Sequence, residues 1–181
     1  MPALITVQIP NDHSASPRPE DGYFSSASFV ADNDLAVGRI LHFLSRTKYW
    51  KEMLVIITED DPQGGVDHID AHRSILMMAG PYVKRGHISH THANFGSILK
   101  TIYNILDVPY VNQYDVTASL LQDFFTPVPD YTPYTLEPHD PRVFNADKAM
   151  QRYNKWIDWR SIMQGPDMDD VDVIKKEFKN N

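Results

Sequence analysis

The chain has 181 residues, no cysteine and a formal net charge of −7, with 42% hydrophobic and 23% charged residues. That length suits one domain with a core of its own, and the lack of cysteine excludes disulfides and thiolate metal sites. The acidic balance argues against non-specific binding to nucleic acid or an anionic membrane surface. No apolar run approaches the ~20 residues that span a bilayer, and the opening MPALITVQIPND lacks the n- and h-regions of a signal peptide.

In chain order, ALITVQI (3–9) is short, apolar and β-branched, which predicts a central strand closed by Pro10. Residues 10–27 hold three prolines, Gly22 and several serines, and predict a long loop of the kind that serves a site. From Ser28 onward, Val37, Ile40, Leu41 and Leu44 fall at helical spacing, with Ser28 as the expected cap and Asp32 and Asp34 near the positive end. MLVIIT (53–58) and SILMMAG (74–80) read as two further strands separated by a charged loop. Phe95, Ile98, Leu99, Ile102 and Leu106 predict an amphipathic helix, and a short helix is expected over 115–125. Four prolines between 127 and 138 interrupt regular structure. Beyond Pro141, the spacing of Phe144, Met150, Tyr153 and Ile157 predicts a C-terminal helix, followed by an acidic-then-basic tail. Strands alternating with helices indicate an α/β layered fold with a largely parallel sheet. The expected organisation is a domain over 1–140 and a helical extension over 141–181.

In such sheets functional groups collect beyond the carboxyl ends of strands, and two charged clusters stand at predicted strand ends. TEDDPQGGVDHIDAHR (58–73) sets Glu59, Asp60, Asp61, Asp67 and Asp70 beside His68, His72 and Arg73. Carboxylates so close repel one another unless water, counter-charge or a cation compensates. Hard divalent ions favour carboxylate oxygen, and imidazole extends the choice to zinc or manganese. His68, His72, His87, His90 and His92 all fall within 31 residues after Asp61. His90 and His92 precede a predicted helix, whose positive end favours an anion. The second cluster, NDHS (11–14), adds an acid, an imidazole and a hydroxyl, although these residue types also form ordinary turns. No G-x-S-x-G elbow, Walker loop or G-x-G-x-x-G is present, so those chemistries lack support.

The segments IPNDHS, FVADNDLAVGRILHFLSRTKYWKEMLVIITEDDPQGGVDHIDAHR, GPYVKRGHISHTHANFGSILKTIYNILDVP and YTPYTLEP, in that order, resemble one bacterial family. It is the C-terminal part of phosphoesterases of alkaline-phosphatase-like fold, which include phospholipase C and acid phosphatase types. The resemblance covers about residues 4 to 136. It implies metal-dependent hydrolysis of phosphate esters with one or two divalent ions, Zn, Mn or Mg. Carried over by position, Asp60, Asp61 and His92 would bind metal, with His90 as the alternative to His92. His13 would contact the phosphoryl group, Asp12 would bind metal or orient His13, and His68 would lie at the edge of the site. The family's first acid and its Ser or Thr nucleophile lie on an earlier strand and helix with no counterpart here. The resemblance therefore implies a sheet without its N-terminal strands, and a chain with little or no phosphatase activity by itself. An exposed sheet edge favours self-association or a partner that supplies the missing part. The alternative implied is a non-catalytic module that binds phosphate or metal, or serves assembly. The family is often exported.

Overall fold

The computed structural model describes residues 2–62, 72–158, 160, 172 and 175, with the Asp12 side chain outside that description. They form a mixed α/β structure: among them are four α-helices, α1 (Ala27–Leu44), α2 (Phe95–Leu106), α3 (Gln113–Thr117) and α4 (Ala146–Trp156), and two strands, β1 (Val55–Thr58) and β2 (Leu76–Ala79). No helix among the described residues is long and apolar enough to cross a membrane. The chain divides into two compact units, one of Met1–Pro10 with Asp34–Pro138 and one of Asn11–Asn33 with His139–Asn181.

In the first unit β1 and β2 pair antiparallel, with Val55 opposite Ala79 and Thr58 opposite Leu76. The sequence predicts a largely parallel sheet, and this pairing departs from it. An apolar run such as VIIT carries no information about direction, since it suits a strand buried on both faces in either orientation. Direction is set at the loop's two feet. Thr58 Oγ1 donates to the Ile75 carbonyl at 2.8 Å and Ser74 Oγ donates to the Glu59 carbonyl at 3.0 Å. These bonds hold the end of β1 beside the start of β2.

Residues 3–9, predicted as a central strand, form none. Strand propensity expresses side-chain packing on a sheet, and among the described residues this run has no ladder partner.

The later part of α1 buries Leu35 and Leu41. Gly38 lets the chain at 134–136 approach closely, because a Cβ there would stand 2.7 Å from Leu136 Cδ1. The C-terminal turn of α1 holds that chain by polar bonds. The Tyr134 amide donates to Ser45 Oγ at 3.0 Å and the Leu136 amide to His42 Nδ1 at 3.1 Å. Arg46 donates to the Tyr134 carbonyl at 2.5 Å.

α2 forms where the spacing predicts it, capped by Asn94, whose Oδ1 accepts from the Ser97 amide at 3.1 Å. Its most buried positions are Gly96, Ser97 and Thr101, whereas Phe95 and Leu99 of the expected apolar face stay exposed. The helix expected over 115–125 begins earlier and splits into α3 and a 3-10 turn at Gln122–Phe124. Asn112 and Asp115 form a capping box that starts α3 at Gln113. Lys100 then donates to the carbonyls of Val116 and Ala118, at 2.8 and 2.9 Å, where the helix ends.

Asp115 is buried, and its Oδ2 accepts from the amides of Val111 and Asn112 at 3.1 and 3.3 Å. Asp115→Ala would leave both donors without it, so we expect a loss of about 1–3 kcal/mol in denaturant unfolding. A loss below that range in urea midpoints would show that water replaces the carboxylate.

The second unit is organised on three rings. Tyr23 stacks on Phe29 at 4.3 Å between centroids and lies 5.0 Å from Phe144, and all three are buried. Arg18 covers the first two rings at 5.1 and 5.2 Å. Ser28, predicted as the α1 cap, lies inside the helix instead. It is wholly buried and donates to the Val143 carbonyl at 2.5 Å. Phe144 precedes α4 and bridges Tyr23 as a short extended contact, so the predicted helical spacing begins too early. Asn145 caps α4, accepting from the Lys148 amide at 3.0 Å. Gly22, at φ +90°, admits this approach, since a Cβ there would lie 2.3 Å from the Asn145 carbonyl oxygen. Arg152 on α4 pairs with the buried Asp21.

Candidate functional site

The sequence-predicted groups fall in both units. In the first unit, Asp60 and Asp61 are exposed just beyond the carboxyl end of β1. Asp60 Oδ1 accepts from the Asp61 amide at 3.0 Å, a local turn that fixes one carboxylate. Carboxylate oxygen is the hard donor chemistry that divalent cations require. The hydroxyls of Thr58 and Ser74 that pin the loop's feet were not singled out by the motif reading. Their signal is a hydroxyl at each strand end, too common a pattern to stand out.

His90 and His92 are exposed in the segment that leads into α2. The Asn94 cap occupies the Ser97 amide at the start of that helix, so an anion there would share the N-terminus with a side chain. The approach to His90 is fixed by Asp123, a residue the sequence reading passed over. His87 Nε2 lies 3.2 Å from Asp123 Oδ2, and the His87 ring meets Phe124 edge-on at 5.9 Å. Lys84 reinforces the junction twice, donating from its amide to the Phe124 carbonyl and from Nζ to the Asp123 carbonyl, both at 2.8 Å. Farther along, Arg85 pairs with Asp130 at 2.8 Å.

The Ser89 hydroxyl, and secondarily His87, hold the Asp123 carboxyl below the usual carboxylate range. A carboxyl depressed by folding contributes stability that is present above its unfolded pKa and lost as pH falls through the folded value. We therefore expect the loop from Lys84 to Ser89 to loosen only below about pH 4. Amide resonances of His87 and Ser89 followed by NMR through acid should move together, and Asp123→Asn should remove that transition. Loss of hydrogen-exchange protection in that loop already at neutral pH would count against Asp123 as the anchor.

In the second unit, NDH does not follow a strand as predicted; Pro10–His13 forms a 3-10 turn. Asn11 anchors the turn by donating to Asp32 Oδ2 at 2.5 Å, and the Tyr23 hydroxyl donates to the same oxygen at 2.9 Å. Asp32 was read as a charge near the helix start, and its role as an acceptor for both residues was missed. The next residue, Ser14, has φ +50°, a left-handed conformation uncommon for a side chain of that kind. The His13 side chain is exposed. His68 lies outside the described residues.

Among the described residues, no three His, Asp or Glu side chains come together as a metal-ligand group. His42 is a structural acceptor for the Leu136 amide. Comparison of the sequence with protein-family models and with curated proteins returns no match.

Proposed function

We propose that this chain carries the metal- and phosphoryl-binding part of a metal-dependent phosphoesterase, on an alkaline-phosphatase-like layered fold with a largely parallel sheet. One observation carries the reading: Asp60 and Asp61 stand adjacent and exposed at the carboxyl end of β1, inside a stretch whose motifs follow the family's order. Strand ends of this kind are where α/β proteins gather their ligands.

By the resemblance, Asp60 and Asp61 would hold a Zn, Mn or Mg ion, joined by His92, or by His90 in its place. The donor set suits any of the three, because carboxylate oxygens accept hard cations and imidazole accepts the transition metals. A bound divalent ion supplies charge neutralisation at the phosphoryl oxygens. By the resemblance, His13 would contact a phosphoryl oxygen with Asp12 to orient it, and His68 would belong to the edge of the family's site. No Ser or Thr of the chain matches the family's nucleophile, so the reading gives this chain binding chemistry and little hydrolysis by itself.

The test is calorimetric titration of the protein with inorganic phosphate, with and without Mn2+. Binding is expected with metal present, weakened about tenfold or more by His13→Ala, equivalent to roughly 1.4 kcal/mol. Phosphate binding that is absent, or that is indifferent to Mn2+, would overturn the reading.

A further inference from the structure

Within the first unit, the end of α2 builds a cavity of its own. Asp107 follows Leu106 in the left-handed region at φ +54°, and its amide donates to the Tyr103 carbonyl. The Val108 amide donates to the same carbonyl at 2.9 Å, which closes the turn. Pro109 cannot continue the helix, and two contacts fix Tyr110 beyond it. Its hydroxyl accepts from Asn104 Nδ2 at 2.9 Å, and its ring centroid lies 6.5 Å from that of Tyr103, tilted by 47°. Tyr103, Asn104, Asp107, Val108, Pro109 and Tyr110 line a cavity of about 280 Å3.

The polar lining is weighted toward acceptors. Asn104 Nδ2 is engaged by the Lys100 carbonyl at 2.7 Å and by Tyr110, so Oδ1 is what this side chain has left to offer. Asp107 adds a carboxylate beside the last carbonyls of α2, where the helix dipole is already negative and a cation is the favourable neighbour. Glycine or asparagine ordinarily takes this position in the turn. Among the described residues the Asp107 carboxylate has no hydrogen-bond or ion-pair partner. Lys100, the one lysine of α2, stands 5.7 Å from the centre of the Tyr110 ring. Its ammonium is held by the Val116 and Ala118 carbonyls at 2.8 and 2.9 Å.

We propose that this cavity binds a guanidinium group of the kind an arginine side chain carries. An unpaired carboxylate, carbonyl acceptors and two tyrosine rings suit a planar cation with several N–H donors. Guanidinium pairs with carboxylate through two parallel bonds and stacks on aromatic faces, which a compact ammonium does less well. Val108 and Pro109 supply an apolar wall for an alkyl stem. The formal net charge of −7 draws cations toward the chain. This inference needs neither metal nor phosphate and stands apart from the phosphoesterase reading.

The experiment is NMR titration of the full chain, at constant ionic strength, with methylguanidinium, with acetyl-Gly-Arg-Gly-amide and with the lysine counterpart of that peptide. Both guanidinium probes are expected to shift the Asn104 side-chain amide and the Val108 backbone amide. The lysine peptide should bind about threefold more weakly or worse. Tighter binding of the arginine peptide than of methylguanidinium supports the site with arginine of a partner chain as occupant. Equal binding of the two supports it with a free guanidine compound. Asp107→Asn keeps a residue that tolerates the left-handed turn, and should weaken both probes about threefold to fivefold, the size of an exposed ion pair. No shift at these amides with tens of millimolar of either guanidinium probe would overturn the proposal. So would an unchanged affinity of Asp107→Asn, or a lysine peptide that binds as tightly as the arginine one.

Discussion

Tyr23→Ala is expected to cost the fold about 3–5 kcal/mol, the range for removing a large buried aromatic ring. Two contributions combine in that loss and can be separated. The ring stacks on Phe29 and abuts Phe144, so its removal opens a cavity among side chains that draw residues 23, 29 and 144 together. The hydroxyl donates to Asp32 Oδ2, beside the bond from Asn11. Tyr23→Phe keeps the ring and deletes only that bond to a carboxylate, at an expected cost of about 1.5–3 kcal/mol. Urea unfolding of both variants gives the split. If Tyr23→Phe costs as much as Tyr23→Ala, the ring packing is not what holds this unit.

The same residue sets an alkaline limit. Burial, and then the bond and charge of Asp32, push the Tyr23 phenol well above its ordinary value. A raised pKa gives stability that is whole below the unfolded value near 10 and declines as pH rises toward the folded value. The gap between wild type and Tyr23→Phe should therefore narrow above about pH 10.

The helices were the most legible part of the sequence, and particular residues show why. α2 follows from the spacing of Ile98, Ile102 and Leu106, which depends on neighbours within one turn. The strands were legible as local segments but not as partners. MLVIIT and SILMMAG were recognised, yet their antiparallel pairing rests on the hydroxyls of Thr58 and Ser74, common residues in an ordinary place. ALITVQI shows the opposite failure. It has every local property of a strand, and among the described residues it pairs with no ladder. In the candidate site, Asp60 and Asp61 were visible because adjacent carboxylates after an apolar run break the pattern of the core. Asp32 and Asp123 were not, because a lone aspartate gives no sign of a partner 21 or 36 residues away.

The second large effect concerns metal. If Asp60 and Asp61 hold a divalent ion, the folded chain binds it and the unfolded chain does not, so metal must raise the melting temperature by mass action. At a hundredfold excess over Kd the gain is about 2.7 kcal/mol, which for a chain of this length is roughly 5–10 °C. Asp60→Asn with Asp61→Asn removes both carboxylates, and its melting in chelator is the baseline against which its response to metal is read.

The most direct test is thus thermal unfolding of wild type and the Asp60→Asn/Asp61→Asn variant, with chelator and then with Zn2+ or Mn2+ at matched ionic strength. The phosphoesterase reading requires a metal-dependent rise of several degrees in the wild type that the double variant lacks. Equal melting of the wild type with metal and with chelator, or an equal rise in both proteins, would contradict it.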